Sequence, residues 1–409
     1  MSPIKKVFLM VLLLLISGII GYGLYYVFIK TPESKLLPQK TTAPSVTGEL
    51  PSAGVRPATT TATTGAGETA SFLPSSEIVQ PGGESYYKPG FETALVKETV
   101  TYPSMNKNGD IRFYNANSGK FYRVTNDGQI KELSSQVFYN AQKITWAKNK
   151  NQAVIEYPDS SKIVYNFETN KQTTLPKHWE DFSFSPEGGE IAAKSIGMSP
   201  ENRWLVTTKE DGTGARLIEP MGNNEDKVMV DWSPNRQVVA FSQTGEPMGA
   251  ERREILLIGL NGENFKSIVV EGAGFQPEWS NTGKKLLYSV YSSRNDWKPE
   301  LWITDAYGDS IGNNRRELKI NTWADKCAFG NDATLFCAVP KDLPQGAGMS
   351  REVANSSMDD LYKIDLTTGI KTSIALENNY NINNITYDST GNKLFFTALD
   401  KPGIFQASL

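Results

Sequence analysis

The chain has 409 residues, with 42 basic and 45 acidic side chains and a formal net charge of −3. That near balance gives no electrostatic case for nucleic-acid binding. A single histidine, His178, and two cysteines, Cys327 and Cys337, leave too few N and S ligands for the usual zinc site and remove the commonest proton shuttle near neutral pH. Composition therefore leans against an enzyme, and neither a cofactor nor a metal is expected.

Residues 1–6 read as a cytoplasmic tail, because Lys5 and Lys6 precede an uncharged apolar run from Val7 to Ile29. At about 1.5 Å per residue a helix over this run spans roughly 35 Å, enough to cross a bilayer with some tilt. The positive-inside rule leaves the amino terminus in the cytoplasm and the rest of the chain outside. Lys30 and Lys35 weaken that bias, but long downstream domains translocate largely regardless of charge. A cleaved signal peptide is the alternative. Its apolar region would be only about 7–15 residues and would end in an A-x-A-like site, which does not follow here. A single-pass anchor at 7–29 is expected, with the remainder extracytoplasmic.

Residues 30–90 read as a stalk and lead-in rich in Thr, Ser, Pro and Gly, clearest at Thr59–Gly67. Such composition buries too little apolar surface to offset the entropy of ordering, so a disordered linker is expected.

From residue 91 to 409 one phrase returns: an aromatic residue, a polar turn, then an apolar β-rich run. Copies include Trp146-Ala147-Lys148-Asn149, Phe184-Ser185-Pro186-Glu187-Gly188, Trp232-Ser233-Pro234-Asn235, Trp279-Ser280-Asn281-Thr282-Gly283, Phe329-Gly330-Asn331-Asp332 and Tyr387-Asp388-Ser389-Thr390-Gly391. With a first copy at Tyr102-Pro103-Ser104 there are seven. A period of about 40–60 residues built from strands and tight turns signals a β-propeller. Asn-Gly and Asp-Gly pairs, as at Asn261-Gly262 and Asp211-Gly212, supply the positive φ that hairpin turns need. The last copy has room for three strands only. Because an unpaired edge invites aggregation, a strand within Thr93–Glu98 is expected to complete the seventh blade; an open or six-bladed ring is the alternative. The expected fold is all-β: a seven-bladed propeller of four-stranded antiparallel blades, behind one transmembrane helix and a disordered linker.

The phrases Phe184-Ser185-Pro186-Glu187-Gly188 and Trp232-Ser233-Pro234-Asn235 resemble the repeat of TolB-like and WD-like β-propellers, over about residues 95–409. The segment Lys326–Pro340, with its two cysteines, is similar to part of membrane-anchored bacterial propellers. The resemblance implies the fold and no activity. TolB itself is soluble, so its partners are not carried over to a chain with an anchor.

Extra residues accumulate between the second and third strands of four consecutive copies, at Ser195–Arg203, Thr244–Arg253, Tyr291–Pro299 and Pro340–Asp360. Equivalent loops of successive blades leave on one face, and such insertions often mark the binding side. They offer Met198, Met248, Arg252, Arg253, Arg294, Trp297, Met349 and Arg351, residue types enriched in protein interfaces. Ordinary surface-loop drift is the rival explanation. Joint replacement of Arg294 and Trp297 by Ala should abolish partner capture without altering melting.

Cys327 and Cys337 flank the turn at Gly330-Asn331-Asp332, and a hairpin symmetric about Asp332 sets them opposite one another, where a disulfide can form. The alternative is two buried small apolar side chains. His178 falls at an expected blade junction and reads as structural. No nucleophile elbow, phosphate loop or calcium loop occurs.

Three functions remain. The leading one is a non-catalytic module that binds an envelope protein or other envelope component. The second is a carbohydrate-active hydrolase or lyase with carboxylates in the channel, roughly 5–10 Å apart; Asp231 and Glu278, each preceding a Trp on an inner strand, are the pair to examine. The third is a structural spacer in an envelope complex.

Overall fold

The computed structural model describes residues 92–409 apart from 126, 250 and 264. The expected anchor at 7–29 and stalk at 30–90 lie outside the described residues. Among those described, no helix is long and apolar enough to cross a membrane.

Local chemistry explains why the repeated phrase folds as a hairpin. Ser185, Ser233 and Ser280 are buried, and each Oγ accepts the N–H that returns across the turn, from Glu190 (3.1 Å), Val238 (2.9 Å) and Lys285 (3.1 Å). Gly188 and Gly283 end their turns at φ 72° and 69°, a conformation glycine adopts without a Cβ clash. The aromatic residue leaves the turn and packs between blades: Trp279 stacks on Phe241 of the preceding blade at 5.2 Å.

Among the described residues these hairpins extend into 28 strands in seven four-stranded antiparallel sheets. The innermost strands, in order, are Thr101–Met105, Lys143–Trp146, Trp179–Phe184, Val228–Val230, Ala273–Trp279, Cys327–Asn331 and Ile382–Asp388. Glu92–Val96 adds to the outer edge of the last sheet by pairing with Ile404–Ser408. The amino-terminal strand thus supplies what the seventh blade lacks, as expected.

The core is divided among the junctions. One buried apolar cluster joins blades 4 and 5 through Phe241, Leu257, Phe275 and Trp279. Another joins blades 7 and 1 through Val96, Phe113 and Phe395. Every other junction has its own cluster, so the ring is closed by the same force that holds adjacent blades together. Burying one such large side chain contributes about 1.5–3 kcal/mol.

Cys327 and Cys337 are register partners on the first two strands of blade 6 and form a disulfide with Cα atoms 4.1 Å apart. The closed loop is short, at a sequence separation of 10, so the chain-entropy contribution is about 2–3 kcal/mol. Reduction should therefore lower the midpoint of urea unfolding by that equivalent while leaving the far-ultraviolet spectrum unchanged. Thiol labelling should rise from zero to two per chain after reduction.

Candidate binding face

Because alternate strands run antiparallel, the loops joining second to third strands emerge on the same face as the connections between blades. The long loops of blades 3 to 6 therefore share one rim. They are built rather than loose. Ser293 N–H donates to Glu251 Oε1 at 3.1 Å, linking the loops of blades 4 and 5. Gly346 and Gly348 N–H donate to the carbonyls of Asp296 and Trp297, each at 2.8 Å, linking those of blades 5 and 6. The blade-6 insertion also folds over its own small core of Trp323, Ala347 and Ala354.

At the blade 4–5 junction the mostly buried carboxylate of Glu271 gathers three arginines. Oε1 lies 3.1 Å from Arg252 Nε and 2.8 Å from an Arg315 nitrogen, and Oε2 lies 3.4 Å from Arg294. Arg252 comes from the blade-4 loop, Arg294 from the blade-5 loop and Arg315 from the approach to the outer strand of blade 5. One acid thus pins two loops to the blades beneath. Arg351 is committed as well, to Asp325 at 2.9 Å and over the Trp323 ring at 5.2 Å. Trp297 is half-buried in the left-handed region (φ 58°) with its ring 6.2 Å from that of Tyr291.

Replacing Arg294 would therefore also remove one contact of the Glu271 cluster. Arg253 is exposed at the start of a third strand. Met198, Met248 and Met349 are all exposed, Met198 completely. Met358 and Leu399 are exposed on the same face, and the sequence reading passed over both. Nothing in the spacing of Glu271 and its arginines marks their convergence, because it joins four separate segments.

The channel holds the second candidate. Asp231 directly follows the inner strand of blade 4 and Glu278 lies in that of blade 5, each just before a Trp, and the two are within electrostatic reach of each other. Burial first, and then the charges of Glu278 and Asp181, push the Asp231 carboxyl up to about 7 against the pull of Lys148. Burial likewise raises Glu278, opposed by Lys148. A cavity of ≈ 590 Å³ at this end is lined by Lys148, Glu278, Asp325 and Thr386 among others. Among the described residues no three His, Cys, Asp or Glu side chains converge as metal ligands. His178 is exposed between blades 2 and 3, and its carbonyl accepts the Ile196 N–H at 2.8 Å.

Fold and strand order define a seven-bladed β-propeller closed by its amino-terminal strand. No family model matches the chain, and no curated protein matches it. Solved structures do. The chain is similar to an oligogalacturonate lyase in complex with manganese (12% identity, 79% of this chain and 95% of that one, TM-score 0.56). It is also similar to the β-propeller domain of Cps50 (Swd1) from Myceliophteria thermophila (13%, 78% and 100%, 0.53) and to streptogramin B lyase (12%, 78% and 97%, 0.50). At such identities the likeness shows the fold alone.

Proposed function

We propose that the chain is a membrane-anchored, extracytoplasmic propeller that binds a protein or another envelope component through its long-loop rim, without catalysis. One observation carries this reading: four consecutive blades place insertions on one face, those of blades 4 to 6 linked to one another, and that face presents the exposed Met198, Met248, Met349 and Met358. Flexible thioethers adapt to a partner's apolar surface, while the pinned loops limit the ordering cost of association. The anchor fixes the location, and the stalk sets the reach.

The test is crosslinking of the full-length chain in its native membrane, followed by identification of what is captured. Replacing Met198, Met248 and Met349 together with Asp should abolish capture at unchanged melting. Replacing Tyr307 and Ile370, exposed on outer turns of the opposite face, should not. Equal capture by both variants favours the spacer reading and refutes this one.

An enzyme acting on carbohydrate is the second reading, and Asp231 supports it. Two acids from adjacent blades, one of them protonated near neutrality, are what an acid–base pair requires. The low-identity lyase neighbours do not add to that argument.

A further inference from the structure

The turns between second and third strands are short in blades 1 and 2, and a cavity of ≈ 680 Å³ opens in that sector of the loop face. This lies within the about 300–1,000 Å³ of small-molecule sites. Its walls come from the starts of three inner strands, through Tyr102, Lys143 and Asp181, and from the blade-2 turn that follows Glu156.

Backbone strain gathers here. Tyr102 (φ 52°), Ser160 (φ 64°) and Asp181 (φ 59°) all line this cavity. For a bulky residue such as Tyr the left-handed region is a costly outlier, of the kind found at ligand clamps. Irregular register between Thr101 and Ser104 and between Glu180 and Ser183 takes Tyr102 and Asp181 out of strand alternation. Blade 5, by contrast, fills its own left-handed bulge position with Gly274. Tyr102 is held in place at both ends: its carbonyl accepts Trp146 Nε1–H at 2.8 Å, and its hydroxyl donates to the Gln142 carbonyl.

Lys143 and Glu156 are placed but under-committed, whereas Asp181 Oδ2 already lies 3.2 Å from Lys194 Nζ and accepts the Val230 N–H at 3.4 Å, leaving Oδ1 toward Lys143. Lys143 Nζ lies 4.0 Å from Glu156 Oε1 and 3.8 Å from Asp181 Oδ1, both longer than a charge-assisted hydrogen bond. Glu156 Oε1 is buried with no hydrogen-bond partner. Lys162 and Lys194 are satisfied by contrast, with Nζ donating to the carbonyls of Ser160 and Lys177 and of Glu225 and Val228. Lys143, Lys162 and Lys194 cancel Glu156, Glu180 and Asp181 in formal charge, so the lining offers no net attraction to a polyanion. A hydroxyl both donates and accepts, and can therefore satisfy an ammonium and a carboxylate at once.

We propose that this cavity binds a neutral oligosaccharide. Lys143 donates to sugar hydroxyls, Glu156 and Asp181 accept from them, and the rings of Tyr102 and Tyr157 carry the sugar's apolar face. The site stands apart from the methionine rim and does not depend on the docking reading.

Calorimetric titration of the full-length chain with cellotetraose, maltotetraose and chitotetraose, with trigalacturonate as the anionic control, tests it. At least one neutral probe should bind, about tenfold or more tighter than the control. Lys143→Met and Glu156→Gln should each weaken that binding about tenfold or more. Tyr102→Gly relieves the backbone and removes the ring, so binding should be lost with no fall in melting temperature. The Met198, Met248 and Met349 variant should bind sugar normally. No neutral binding at about 10 mM, tighter binding of trigalacturonate, or neutral binding left intact by both Lys143→Met and Glu156→Gln would overturn the proposal.

Discussion

Asp359→Ala should destabilise the propeller by about 3–5 kcal/mol, the loss expected when one partner of a buried ion pair is removed. Both side chains of the Lys326–Asp359 pair are almost wholly buried, at 1% and 0% exposure. Asp359 Oδ2 accepts from Lys326 Nζ at 2.8 Å and from Ile382 N–H at 2.6 Å, and Lys326 Nζ also donates to the Ile382 carbonyl at 2.8 Å. The cluster fastens the return strand of the blade-6 insertion to the first strand of blade 7. Burial lowers the Lys326 pKa and raises that of Asp359, each opposed by the partner's charge. Removing the acid alone leaves an ammonium in the core. Removing both charges does not, so Lys326→Met with Asp359→Leu should recover most of the loss or exceed wild type. Urea unfolding of the three proteins reads the difference. A single variant as stable as wild type would show that the interior solvates this lysine without its partner.

Asp231→Asn should stabilise the protein at pH 8 and leave it unchanged at pH 4. The sign follows from a folded-state carboxyl pushed up to about 7 against an unfolded value near 3.9. Below about pH 4 the group is protonated in both states and favours neither. Between about 4 and 7 the unfolded chain ionises while the folded one keeps its proton, so stability falls by about 1.4 kcal/mol per pH unit. Above 7 both states are ionised and the deficit is constant. Its upper bound is about 4 kcal/mol, and partial solvent contact in the channel reduces that to about 2–4. The amide mimics the protonated acid and escapes the penalty. Denaturant midpoints for variant and wild type at pH 4, 6 and 8 would reveal it. A variant less stable than wild type at pH 8 would mean that Lys148 outweighs burial and the neighbouring acids.

Much of the scaffold is legible in the repeated turn because its chemistry is local. Ser185, Ser233 and Ser280 act within their own hairpins. Where the phrase is degenerate, local reading stops. Ala147 has no hydroxyl to offer, and its turn is held from blade 1 by Arg112, which donates to the carbonyls of Ala147 at 3.0 Å and Lys150 at 2.6 Å. The outer strand of blade 5 is only Arg316–Glu317. Leu318 and Ile320 instead turn into the core between blades 5 and 6, since junction packing outweighs edge pairing. The rim was legible as surplus length between strands, and Met198, Met248 and Met349 reached solvent. Arg252, Arg294 and Arg351 are occupied within the protein, which residue type alone could not disclose.

The sequence by itself determined the number of blades, the terminal strand that closes the ring, the face that carries the insertions and the opposition of Cys327 to Cys337. Each of these depends on periodicity or on residues a few positions apart, where the covalent chain sets geometry. Only the tertiary structure decided that Glu271 pins two loops, that Lys326 and Asp359 share a buried site, and that Tyr102, Lys143, Glu156 and Asp181 surround one cavity. Those groupings bring side chains together from distant segments. Their charges acquire meaning once folding has removed the water that would otherwise screen them.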